Sequence, residues 1–131
     1  MIAVLLTGLL SSCNNCMDGN GKMATRTAKF SEITSLNLTL GADVKLVDDS
    51  TGTIKIEGES NLIEAIILEQ TGTKLRISSE PCLSSNKPIT ITIPMKLVSE
   101  LQINGSGSIK SERKLSASDL ELGINGSGDI D

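Results

Sequence analysis

The chain has no histidine, no tryptophan and no tyrosine, and Phe30 is the one aromatic residue among its 131. Without histidine the commonest general base and metal ligand are missing. Neither a Ser-His-Asp nor a Cys-His nucleophile can be assembled within such a chain. Without aromatic platforms there is nothing for nucleic-acid bases to stack on. The charge agrees: 12 Lys plus Arg against 16 Asp plus Glu give a net charge of −4. That is a mildly acidic, mixed surface, suited to solubility rather than to nucleic acid. No basic block is long enough to hold an anionic lipid surface by charge alone. Charge is absent altogether before Asp18.

What fills that uncharged start is an apolar run, Ile2–Leu10 (IAVLLTGLL), followed by Ser11, Ser12 and Cys13. A membrane span needs about 20 apolar residues, and Asn14 and Asn15 end this run well before that. An apolar segment closed by small residues reads as a secretory signal with its processing site, residues 1–12. It lacks the basic n-region of such signals, so a start upstream, or an internal Met, is expected. The tetrad Leu10-Ser11-Ser12-Cys13 resembles the lipobox of bacterial lipoproteins. That resemblance implies that Cys13 is lipidated and becomes the mature N-terminus, anchoring the protein to a membrane of the cell envelope. The face of the outer membrane it occupies stays open, because no acidic export tag follows Cys13.

With Cys13 assigned to lipid, Cys16 and Cys82 remain. Export places them where a disulfide persists, and a bridged pair and two free thiols both fit the sequence. Two thiols without histidine fall short of a four-ligand zinc site. Residues 13–28 are polar, contain two glycines and show no apolar periodicity, so they read as a flexible tether. The folded domain is expected over 29–131.

From Phe30 onward the hydrophobic period is two. Leu36, Leu38 and Leu40 alternate with Asn37 and Thr39, and Val44 and Leu46 flank Lys45. The pattern continues at Ile54/Ile56, Leu75/Ile77, Ile89/Ile91/Ile93, Leu101/Ile103 and Leu120/Leu122/Ile124. Strict alternation in short runs bounded by Gly, Asp, Asn and Ser predicts half-buried strands. Asn61–Gln70 (NLIEAIILEQ) reads as a short turn at 61–64, where Asn61 and Glu64 form a helix-start pair, leading into a strand.

A repeat overlies this alternation. LQINGSGSIK (101–110) returns as LGINGSGDID (122–131) at a constant offset of 21 residues. The repeated turns are Asn104-Gly105-Ser106-Gly107 and Asn125-Gly126-Ser127-Gly128. A fixed period of this size predicts stacked strand–turn–strand units sharing one core. The glycines permit positive φ at a corner, and Asn104 stacked on Asn125 predicts an amide ladder. The expected fold is all-β, a right-handed parallel β-helix with a less regular N-terminal part. The chain's end one residue after the repeated Ile130 predicts an incomplete solenoid without its polar cap.

The paired NGSG turns, with the literal Gly123-Ile124-Asn125, resemble the head GIN domain family of auto-transporter adhesins, many of them Bacteroidetes lipoproteins. The resemblance extends over about residues 28–131 through LTLGADVKL, TIKIEG, NLIEAI, KLRISS and ITIPMK. It implies the same right-handed parallel β-helix, and it transfers no catalytic residue and no cofactor.

The remaining motifs favour bland readings. Gly105-Ser106-Gly107 has neither the lysine of a P-loop nor the third glycine of a dinucleotide loop, so it reads as a turn. Gly126–Asp131 faintly resembles a calcium-binding β-helix repeat, but its period is 21 rather than nine and Ser108 replaces Asp129 in the other copy. The carboxylate pairs Asp48-Asp49 and Glu57/Glu59 read as solvent charge rather than as a glycosidase pair. Arg26, Arg76 and Arg113 are scattered, with no acidic cluster beside them. Asn37, Asn104 and Asn125 head N-x-[ST] triplets that strand and turn chemistry explains, while Asp49-Ser50-Thr51 is similar to a Bacteroidetes O-glycosylation sequon. The expected protein is an exported, non-catalytic adhesin or envelope-binding module. It meets a glycan or protein through its flat polar faces and self-associates through an open solenoid end. The competing readings are a pectin lyase-like, carbohydrate-active enzyme and a purely structural envelope protein.

Overall fold

The computed structural model describes residues 16–47, 52–80, 82–84, 87–95, 97–111, 121–125 and 128–131. The signal segment, Cys13, the Asp48–Thr51 turn, Arg113, Gly126 and Ser127 lie outside these residues, as does the side chain of Asp129.

The elements are β1 (Met17–Asp18), β2 (Met23–Lys29), β3 (Ser35–Leu38), β4 (Asp43–Val47), β5 (Thr53–Glu59), α1 (Ser60–Glu64), β6 (Ile66–Thr71), β7 (Lys74–Ser79), β8 (Leu83–Ser84), β9 (Thr90–Pro94), β10 (Glu100–Asn104), β11 (Ser108–Ser111), β12 (Glu121–Asn125) and β13 (Asp129–Ile130). They build a five-stranded sheet in the order β12-β10-β3-β7-β6, a six-stranded sheet in the order β13-β11-β4-β9-β5-β2, and the small pair β1-β8.

Period two decides which side chains meet. Inward residues of the five-stranded sheet align in columns: Leu75, Leu36, Leu101 and Leu122, then Ile77, Leu38, Ile103 and Ile124. The six-stranded sheet contributes Ile91, Val44, Ile109 and Ile130. The buried residues of both sheets form one aliphatic core, with Phe30 packed against its side. Branched and γ-branched side chains fill a pleated surface without aromatics, and each fully buried one stabilises the fold by roughly 1.5–3 kcal/mol.

The right-handed parallel β-helix is not formed. Three sheets with mixed pairing take its place, and among the described residues no solenoid closes. Two observations overturn that expectation. Spatial order departs from chain order: the first strand pair, β3 and β4, lies between β7/β9 and β10/β11, whereas a solenoid adds its rungs in sequence. In addition, β2, β5 and β6 pair antiparallel at one end. What survives of the repeat is local. β10 and β12 pair parallel and in register, Leu101 opposite Leu122 and Asn104 opposite Asn125, and β11 pairs β13 in the same sense.

The segment 13–28, read as tether, contains both β1 and most of β2, which pairs with β5 along its whole length. Its inward positions are Ala24, Arg26 and Ala28. Small and cationic residues there produce no hydrophobic period, although the backbone ladder is complete. The Arg26 guanidinium donates through Nη1 to the carbonyls of Ile63 (3.0 Å) and Ile66 (2.8 Å). The Ile63 carbonyl lies in the last turn of α1, where a cation is favoured, and the Ile66 carbonyl belongs to the first residue of β6. Leu62 and Ile63 of α1 are buried, so this single turn and Arg26 close one end of the core. The turn-then-strand reading of 61–70 matches α1 followed by β6.

Candidate functional site

The outer face of the six-stranded sheet is polar. Register places Thr27, Lys55, Thr92, Lys45 and Lys110 in one row across five strands. A neighbouring row runs Thr25, Glu57, Thr90, Asp43 and Ser108. With strands about 4.8 Å apart, Lys55 and Lys45 stand about 10 Å from each other, and Lys45 and Lys110 about 5 Å. Ser108 Oγ donates to Asp43 Oδ1 at 2.8 Å, which holds that carboxylate within its own row. Lys55 Nζ lies 2.9 Å from Glu57 Oε1. The hydrogen bond from Lys55, then its charge and that of Lys45, hold the Glu57 carboxyl below its ordinary value. The Lys45 and Lys110 ammonium groups enter no ion pair among the described residues, so the row keeps cationic positions open to solvent.

On the outer face of the five-stranded sheet the asparagines form a ladder. Asn125 Nδ2 donates to Asn104 Oδ1 at 3.0 Å, and Asn104 Nδ2 donates to Asn37 Oδ1 at 3.0 Å. The stacking read from the repeat is extended here by Asn37, which belongs to no repeat copy but shares with Asn104 and Asn125 the N-x-[ST] triplet. The NGSG glycines act in two different ways. Gly105 has φ of 129°, a backbone that a side chain rarely adopts. Gly107 instead permits close approach: a Cβ there would lie 2.6 Å from Leu38 Cδ2 and 2.7 Å from the Leu40 carbonyl oxygen. Its repeat equivalent, Gly128, packs over Gly107 in the same way, with only 2.6 Å between a Cβ and the Gly107 oxygen. Ser106 is exposed at the corner.

The two ends of the core differ. At the β12 edge the inward-facing Leu122 and Ile124 remain 56% and 44% exposed, although Leu101 and Ile103 below them are buried. Among the described residues no strand pairs with the outer edge of β12, and such an edge beside an apolar row is a place where a further strand can add.

A third feature lies in the segment read as tether. Cys16 and Cys82 are joined by a disulfide, and β1 pairs β8 beside it. The following loop, residues 19–22, closes over the β5–α1 junction. Gly21 N–H donates to Glu59 Oε2 at 2.6 Å, Asn20 N–H to Asn61 Oδ1 at 3.0 Å, and Asn61 Nδ2 to the Asp18 carbonyl at 2.7 Å. Glu59 is fully buried, and a Cβ on Gly19 would overlap its carboxylate. Glu57 and Glu59 therefore end in unlike surroundings, one solvated beside a lysine and the other enclosed by backbone. Sequence reasoning missed this clamp. The Asn20-Gly21 turn dipeptide was its one visible trace, because the contacts join positions some 40 residues apart. Among the described residues no three His, Cys, Asp or Glu side chains gather as a metal site.

A family model described as "Putative auto-transporter adhesin, head GIN domain" matches residues 29–131. A search of curated proteins returns no match. Among solved structures, a Bacteroides fragilis NCTC 9343 protein described as "putative adhesin" superposes with a TM-score of 0.78 at 20% identity, over 88% of this chain and 55% of that one. A Parabacteroides distasonis ATCC 8503 protein, described as "Putative lipid binding protein", gives 0.76 at 22% identity, over 87% and 50%. A Parabacteroides merdae ATCC 43184 protein, also described as "putative adhesin", gives 0.73 at 14% identity, over 82% and 46%. The chain thus spans about half the length of these structures, and at such identities the likeness is one of fold.

Proposed function

The chain belongs to the head GIN domain family, and from that membership we propose an exported adhesion module of the cell envelope. It is non-catalytic, held to the membrane by lipid on Cys13, and binds an extended glycan across the outer face of the six-stranded sheet. The observation that carries this reading is the registered row Thr27, Lys55, Thr92, Lys45 and Lys110. A twisted sheet with hydroxyl and ammonium groups at regular intervals suits a regular polymer better than a small molecule, which needs a concave site. Arraying the soluble domain on neutral and anionic glycans, with a Lys45→Ala/Lys110→Ala double variant alongside, tests the face. Binding by the parent and loss in the variant support the reading, and equal binding by both moves the contact elsewhere. Protease shaving of intact cells, with a Cys13→Ala control, tests display and anchoring.

The exposed Leu122 and Ile124 support one further element of this reading, self-association through the β12 edge. Sedimentation over a concentration series tests it: Leu122→Lys is expected to abolish any dimer the parent forms.

A further inference from the structure

We propose that Asn20-Gly21 is a self-processing site at which the buried Glu59 drives deamidation of Asn20 through a succinimide. Three groups stand where this reaction needs them. Glu59 Oε2 lies 2.6 Å from the Gly21 nitrogen, within the reach required of a general base. The Lys22 N–H donates to Asn20 Oδ1 at 3.0 Å, which draws the side chain back along the chain toward the Gly21 peptide and stabilises negative charge on that oxygen. Asn20 Nδ2, the nitrogen to be expelled, lies 2.8 Å from Ser60 Oγ.

The step balances as follows. The Gly21 nitrogen passes its proton to Glu59 and bonds to Asn20 Cγ. The Cγ–Nδ2 bond then breaks, and its electron pair leaves with nitrogen. The Ser60 hydroxyl, which accepts from Nδ2 before the reaction, turns to give its proton to the departing nitrogen and is reprotonated by water, while Glu59 releases the proton it took to water, so ammonia is released and the Glu59 carboxylate is regenerated. Water then opens the succinimide to aspartate or isoaspartate. The product carboxylate has no N–H to give Ser60 and places a second negative charge beside Glu59, so the 18–22 clamp loosens while the disulfide still holds its start.

The chain contains its own control. Asn104-Gly105 is the same dipeptide, but the Gly105 N–H donates to the carbonyl of Asn125 at 2.7 Å, which is not a base. Asn104 Nδ2 is held by Asn37.

The test is timed incubation of the folded, disulfide-bonded protein at neutral pH, with peptide mass spectrometry and isoaspartate detection at both asparagines. Asn20 is expected to react at least about 10-fold faster than Asn104, and Glu59→Gln to slow it by about 100-fold, the lower end of general-base contributions. In the reduced, urea-unfolded chain the preference for Asn20 is expected to vanish. Equal rates at the two sites in the folded protein overturn the proposal, as does an unchanged Asn20 rate in folded Glu59→Gln. If that variant fails to fold by circular dichroism, Ser60→Ala decides: a slower Asn20 rate supports the proposal and an unchanged one overturns it.

Discussion

Asn125 donates from Nδ2 to Oδ1 of Asn104 at 3.0 Å, although the two residues occupy equivalent positions in successive copies of the repeat. Each amide in such a ladder gives a proton on one side and receives one on the other. Asn104, in the middle, is the position that uses both capacities. Asn104→Ala therefore removes two hydrogen bonds and Asn125→Ala one. At roughly 0.5–1.5 kcal/mol each, the expected losses are about 2 kcal/mol and about 1 kcal/mol. Urea unfolding of both variants checks the ratio, and equal losses would show that the ladder does not act as a chain of bonds.

The leucine column supplies a second comparison at constant chemistry. Leu101 and Leu122 are register partners on adjacent strands, yet one is 1% exposed and the other 56%. Leu101→Ala is expected to cost 2–5 kcal/mol, because it opens a cavity in a closed core. Leu122→Ala should cost less than about 1 kcal/mol, since much of its surface already faces water. Thermal unfolding of the pair measures the difference. Both values refer to a protein concentration low enough to keep the chain monomeric; a larger Leu122 loss that appears only at high concentration would show the row covered by a second copy, as the self-association reading requires.

That contrast also marks what the sequence can tell. Alternation along Leu36, Leu38, Val44 and Leu46 identifies which side chains face inward, because the period of a strand is fixed by its pleat. The offset of 21 places Leu122 beside Leu101, because two similar strands with similar turns stack in register. Neither signal says which strand lies beyond β3. Leu75 and Leu101 are both inward leucines of equal length and chemistry, and β3 accepts one on each side. Rung order depends on pairings between strands distant in sequence, and these have no local signature. For the same reason a solenoid was the natural reading of the repeat and a mixed three-sheet fold the outcome. The Lys and Thr positions of the outer face were legible one strand at a time, whereas their alignment into a row came only with the register. β2 was invisible because Arg26 sits at an inward position and finds its partners in the carbonyls of Ile63 and Ile66.

The N-terminal strap is held from both ends, by the Cys16–Cys82 disulfide and by the Glu59 clamp. The disulfide spans 66 residues of sequence, and closing a loop of that length in the unfolded chain is worth about 4 kcal/mol in the chain-entropy model. Cys16→Ser/Cys82→Ser is expected to lose about that much stability, and a reducing agent should reproduce the loss in the parent but not in the variant. Protease sensitivity at 16–22 should rise in the variant. An unchanged cleavage pattern would mean that the clamp contacts alone retain the strap.

Glu57 provides the pH dependence. Its carboxyl is held below the ordinary 4.5 first by the hydrogen bond from Lys55, then by the Lys55 and Lys45 charges. A group whose folded value is depressed binds fewer protons folded than unfolded. Its contribution is therefore present in full above the unfolded value and is lost as pH falls through the folded one. The pair is exposed, with side chains 51% and 44% accessible, so the contribution is small and fades as salt screens it. Lys55→Met is expected to return the Glu57 midpoint toward 4.5 and to flatten the acid side of the stability profile. Carboxyl chemical-shift titration of Glu57 in parent and variant, at low and high salt, reads both effects. An identical midpoint in Lys55→Met would mean that Lys45, across the β9 strand, holds the carboxylate instead. That outcome would draw Glu57 into the cationic row and reduce the positive charge the face can offer a ligand.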